Sequence, residues 1–156
     1  MNIFAVDYCP RKSAESLVDK HVVKMIVESA QILSTVHHRH NTWHSELYKP
    51  THINHPCVKW AAMTPSNYNW TYAHFCYLLD EYSYRYDKFG HKSLRLKMPL
   101  SAAPVNMAPG TLTPFALAMP DEYKVDDPVE SYRNYYSHAK KSLHKWTLRN
   151  KPSWIN

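Results

Sequence analysis

Glycine is nearly absent from this chain, with Gly90 and Gly110 the only two among 156 residues. That scarcity excludes a P-loop and a dinucleotide-binding turn, which need several glycines to bring backbone close to phosphate. Cysteine is scarce too. Cys9, Cys57 and Cys76 are odd in number and widely spaced, giving neither a disulfide framework nor a CxxC zinc or redox pair. No run of about eighteen apolar residues is present to span a membrane. The opening Met1-Asn2-Ile3-Phe4-Ala5-Val6-Asp7 lacks the charged start and cleavage site of a signal peptide. These absences point to the reducing cytoplasm, that of a host cell if the chain is viral.

What is present is globular: 44% apolar and 21% charged residues, a length suited to one domain over 1–156. The formal charge of +6 favours a polyanionic partner, DNA or a nucleotide among them. Five Trp and twelve Tyr interleaved with cations could supply flat faces for bases, although most of them should pack the core.

Helix signals divide the chain. Ile3 to Val6 reads as a short strand or a buried segment ended by Pro10, and Ser13 as the N-cap of a long helix from about Ala14 to His38. Pro56 suits the first position of a short helix to about Met63, with His55 at its start. Thr64-Pro65 opens a helix to about Asp87, and Asp127-Pro128-Val129-Glu130 a last one to about Leu148. Between Lys97 and Asp121 five prolines forbid helix, yet the apolar residues are too many for a linker, so a packed irregular segment capable of acting as a lid is expected. The expected architecture is all-α: a compact domain of about four helices with a long Pro-rich irregular segment.

On the first long helix Val18, Val22, Met25, Ser29, Leu33 and Val36 make a buried stripe, and His21, Lys24, Glu28 and Gln31 a second one. An imidazole, an amine and a carboxylate in one row suit acid–base and amine chemistry, though Lys24 and Glu28 are also an ordinary i, i+4 support pair. The candidate catalytic set is Glu28, His21, Lys24 and His55, with Lys24 either a nucleophile or merely the partner of Glu28. Asn67, Trp70, His74, Glu81 and Arg85 form a polar and aromatic stripe on a second helix. Asn54, Asn67, Trp70, His74, Arg85, Lys88, Lys92, Arg133 and Trp154 are the candidate nucleic-acid or nucleotide contacts. The cluster His37, His38, His40, His44, His52 and His55 lacks metal-site spacing, so neither a metal nor a cofactor is expected. A zinc deaminase is disfavoured because its His-x-Glu and Pro-Cys-x-x-Cys elements are missing.

Leu17-x-Asp19-x-His21 followed by Glu28 resembles the first helix of the bacteriophage pyrimidine-dimer DNA glycosylase/AP lyase family, the endonuclease V type. Asn54-His55-Pro56, the helix from Leu79-Asp80-Glu81-Tyr82 to Arg85, and Lys151-Pro152-Ser153-Trp154 are similar to further family elements in the same order. The resemblance implies an all-α protein that flips a nucleotide from duplex DNA and cleaves a pyrimidine N-glycosidic bond, with a catalytic glutamate at Glu28. It also implies an N-terminal amine that attacks the sugar C1′ to form an imine. The chain departs from that pattern where Val27 and Gln31 replace flanking arginines, and where Asn2 is too large for efficient removal of Met1. Two other readings use the same fold: a protein that binds a nucleotide or masks DNA without turnover, as in phage counter-defence, and an enzyme that modifies a base.

Overall fold

Proline marks where most helices begin. The computed structural model describes residues 1–155, and its five helices are α1 (Pro10–Ser16), α2 (Asp19–Arg39), α3 (Pro56–Ala61), α4 (Pro65–Tyr86) and α5 (Pro128–Ala139). In α1, α3, α4 and α5 a proline occupies the first turn, where its missing N–H costs nothing. His55, Thr64 and Asp127 cap α3, α4 and α5 through their side chains. No strand occurs among the described residues, so Ile3 to Val6 is the buried segment rather than the strand. The all-α expectation holds.

The two long helices run antiparallel. Arg85 near the end of α4 meets Asp19 at the start of α2, and Tyr68 in the first turn of α4 meets His37 near the end of α2. The expected buried stripe of α2 is present in full, since Val18, Val22, Met25, Ser29, Leu33 and Val36 are all fully buried. Burial of such side chains contributes roughly 1.5–3 kcal/mol each for the larger ones.

The expected continuous helix from Ala14 to His38 is corrected to two helices, because Leu17 and Val18 are extended. Ser13 does not cap; its hydroxyl donates to Phe4 O and accepts from Val6 N–H. Distant side chains take up the backbone groups freed at the break. Arg85 donates to Leu17 O and Glu15 O, Trp146 donates to Ser16 O, and Val18 N–H donates to the Tyr136 hydroxyl. Tertiary hydrogen bonds here override local helix preference.

The Pro-rich stretch is irregular and packed, as expected, with Leu100, Met107, Phe115 and Met119 buried. Asn67 pins it to α4 by donating to Thr113 Oγ1 (2.8 Å) and accepting from Thr113 N–H (3.0 Å). Gly110 is required there. A Cβ at that position would lie 2.5 Å from Thr64 Cγ2. The last helix ends at Ala139 instead of near Leu148, because the chain turns back so that Lys145 O can accept from Asp19 N–H (2.9 Å).

Candidate active site

The N-terminal arm is threaded into the core rather than left free. Asn2 Oδ1 accepts from Ile3 N–H (2.7 Å) and Phe4 N–H (3.0 Å), while Asn2 Nδ2 donates to Ala118 O (2.8 Å) of the Pro-rich segment. Phe4 is held at φ 42°, in the left-handed region that costs a bulky residue about 1–3 kcal/mol. Its ring stacks on His21 (centroids 4.6 Å apart) and on Tyr135 (6.1 Å). Such over-determined strain is affordable only where many contacts fix one conformation.

Those contacts deliver the first two nitrogens to one carboxylate. Asn2 N–H donates to Glu28 Oε2 (2.9 Å), and the amine of Met1 lies 3.9 Å from the same oxygen. The Met1 side chain is 2% exposed and that of Glu28 12%, while the exposure that Met1 retains falls on its main chain, where the amine sits. Lys24 Nζ reaches Glu28 Oε1 at 3.4 Å, one helical turn earlier. His55 completes the group. It is half-buried, and its imidazole is held below its usual pKa first by burial and then by the charge of the terminal amine, with Glu28 acting in the opposite sense. His55 Nδ1 accepts from Cys57 N–H (3.1 Å), which leaves Nε2 to carry the ring proton in the neutral form.

Glu28 and Lys24 are thus brought together with the amine of the first residue, a member that spacing could not have found, while His55 feels the charges of the amine and Glu28. The signal for the amine lies in Asn2, whose partner Ala118 is 116 residues away. His21 requires correction as an acid–base group. Its ring is buried, its Nδ1 pairs with the Tyr136 hydroxyl (2.8 Å), and burial followed by the charges of Lys140 and Lys24 lowers its pKa to about 4. His21 is therefore neutral near pH 7 and serves as the plate on which Phe4 stacks. Lys24 is two-thirds exposed, so the desolvation that would make it a nucleophile is missing.

The expected nucleic-acid contacts divide by exposure. Asn54, Lys88 and Lys92 are exposed. Asn67, Trp70, His74 and Arg85 are buried, and the expectation that they face a nucleic acid is corrected. Asn67 ties α4 to the Pro-rich segment, Trp70 Nε1 donates to Tyr8 O (2.7 Å), and His74 stacks on Trp70. Arg85 is shared by Asp19 and Glu81. A polar stripe at helical spacing reads as a surface only while its partners are unknown. Arg133 and Trp154 are half-buried and meet through a cation–π contact at 5.6 Å. They line a hollow of about 350 Å³ with Lys12, Arg149, Asp7 and Glu15, away from Glu28. Among the described residues no three His, Cys, Asp or Glu side chains gather as a metal site, and no helix is long and apolar enough to cross a membrane.

Lys140 was not foreseen. Its ammonium sits 4.7 Å from the Tyr135 ring centre and 5.9 Å from that of Phe4, and with Lys24 it acts on His21. Cations therefore stand around the aromatic floor beside the amine and carboxylate.

No curated protein and no solved structure matches the chain. A family model described as pyrimidine dimer DNA glycosylase matches residues 1–92, which include α1 to α4, Glu28 and His55. With more than half of its length matched, the chain belongs to the pyrimidine dimer DNA glycosylase family.

Proposed function

We propose that this protein cleaves the N-glycosidic bond of a damaged or modified pyrimidine in duplex DNA, using the amine of its first residue as nucleophile and Glu28 as the acid–base group. The observation that carries the proposal is the convergence of that amine and Glu28 Oε2 at 3.9 Å, with both side chains largely covered. An α-amine is in general less basic than a lysine side chain, which suits this chemical type to nucleophilic attack near neutral pH.

Glu28 takes the proton that the ammonium sheds. The freed lone pair forms a bond to the sugar C1′ as the bond from C1′ to the base breaks, and the departing base takes up the proton lost from the new C–N nitrogen. The ring oxygen then leaves C1′, accepting the proton held by Glu28, and an imine remains. General acid–base help of this kind is worth about 10²–10⁴ in rate. Positioning by the threaded arm supplies further acceleration by fixing the amine before substrate arrives. Removal of Met1 would transfer the role to the Asn2 nitrogen, which already lies 2.9 Å from the same oxygen.

The test is a duplex panel carrying abasic, ultraviolet-damaged and hydroxymethylated pyrimidine sites, read by strand cleavage and by borohydride trapping. Wild type, Glu28→Gln and a form extended by Gly-Ser before Met1 are run together. Wild type should cleave one duplex and give a covalent adduct; Glu28→Gln should bind but lose about 10²–10⁴ in turnover. Absence of an adduct in an active sample would replace the amine with water. Turnover unchanged in Glu28→Gln would remove the carboxylate from the mechanism.

A further inference from the structure

Phe89 is the one phenylalanine that the fold leaves out. Phe4, Phe75 and Phe115 are at most 5% exposed, whereas Phe89 is 100% exposed. It sits at the tip of a turn braced on both sides. Asp87 closes α4 in the left-handed conformation (φ 48°), Gly90 turns the chain again at φ 83°, and His91 Nδ1 then caps Ser93 N–H while its ring packs edge-on against Tyr82. Ser93 is fixed in turn by the Tyr48 hydroxyl at 2.8 Å. The turn thus presents an aromatic ring next to a fixed scaffold, with no protein surface beneath it.

The electrostatics of this segment are one-sided. From Lys88 to Pro120 the sequence contains no Asp or Glu. Lys88, Lys92 and Lys97 are exposed and form no ion pair among the described residues; Asp87 is the one acid adjoining the turn. Arg95 adds a fourth cation, oriented by Glu46 O and the Tyr48 ring. The turn also lies beside the helix that carries Glu28. Tyr86 donates to Asp19 O at the start of α2 (3.0 Å), the short 3₁₀ turn Lys92–Leu96 packs on α2, and Lys20 and Lys24 are exposed along that helix.

We propose that Phe89 is a wedge that stacks between bases of duplex DNA, with Lys88, Lys92 and Lys97 seated on the flanking phosphates. This rests on the reading of duplex DNA as the substrate and adds a contact that helps to hold the duplex open. An apolar side chain driven between base steps unstacks them, and neighbouring lysines neutralise phosphates while releasing counterions. A solvent-exposed phenylalanine amid unpaired lysines matches both halves of that interaction. The cost of unstacking a base for extrusion is then shared between the wedge and the site.

The experiment measures duplex affinity of the full chain at several salt concentrations for wild type, Phe89→Ala, Phe89→Trp, Lys88→Gln/Lys92→Gln and Glu28→Gln. Because Phe89 has no packing to lose, Phe89→Ala should fold as wild type does. It should bind duplex on the order of tenfold more weakly, and Phe89→Trp should bind at least as well as wild type. The double lysine variant should flatten the slope of log affinity against log salt by about 2. Wild-type binding with Phe89→Ala within twofold overturns the wedge while leaving the DNA reading intact. Unchanged DNA affinity with altered self-association, read by sedimentation, overturns it in favour of contact between copies. If neither wild type nor Glu28→Gln binds any duplex, the DNA reading itself falls.

Discussion

The matched region, residues 1–92, and the remainder of the described chain divide the work of the site unequally. The first holds α1 to α4, the carboxylate, the amine and His55; the second is irregular over much of its length and has α5 as its one α-helix. Yet the second supplies the groups that fix the first. Ala118 O anchors Asn2, the Tyr136 hydroxyl holds Val18 and His21, Thr147 donates to Asp19 through both its backbone and its hydroxyl, and Lys140 stands over Phe4. The comparison teaches that the groups of a candidate site and the residues that position them can sit on separate stretches of chain. A family signature can then be confined to the first while the geometry depends on both.

The largest effect is expected inside the matched region, at Arg85. Its guanidinium is fully buried between Asp19 and Glu81 and donates to Leu17 O, so Arg85→Met leaves two carboxylates without their shared cation. Loss of about 3–5 kcal/mol is expected, read as a reduced denaturant midpoint; a loss below about 1 kcal/mol would mean that the network is not what holds the α1–α2 break. A smaller effect is expected at the joint between the regions. Asn2→Ala removes the bond to Ala118 O and the acceptor for Ile3 and Phe4, and should cost about 1–2 kcal/mol in unfolding experiments. It should also lower turnover more than duplex affinity, because the amine loses its placement. Equal losses in both would show that the arm is merely structural.

Acidification sharpens the comparison most gently. Burial depresses the pKa of His21 to about 4 and that of His74 to about 3, both below the ordinary 6.5. The unfolded chain therefore binds protons at these residues that the folded chain refuses, so stability is fully present above about pH 6.5 and falls as pH drops toward 4. The slope is at most one proton for each histidine. Thermal unfolding followed from pH 7 to 4 should show this decline, and His74→Phe should flatten it; a profile that is level over that range would contradict the neutral, buried state of both rings.

Much of the fold was legible because its signals are local. Pro56, Pro65 and Pro128 each follow a capping residue and open a helix where expected, and the α2 stripe from Val18 to Val36 is buried throughout. The break at Leu17 and Val18 was not legible, since Arg85, Trp146 and Tyr136 compensate it from far along the chain. The same division holds for the site. Glu28 and Lys24 share a helix and were read together, whereas the amine reaches Glu28 through Asn2, Phe4 and Ala118, which no periodicity relates. Arg85 and His74 were read as a nucleic-acid face because hydrophilic side chains at helical spacing look alike in sequence, although Arg85 is satisfied by buried carboxylates and His74 is enclosed with neither ring nitrogen hydrogen-bonded.

The threaded N-terminal arm also has a consequence during synthesis. Asn2 cannot reach Ala118, nor Phe4 its neighbour Tyr135, until those later residues have left the ribosome. For most of translation the arm therefore has no partners to hold it, and it is locked in place only as the last third of the chain arrives. The seating of Asn2 N–H against Glu28 is thus a late event of folding, completed after the residues of α1 to α4 have all been made.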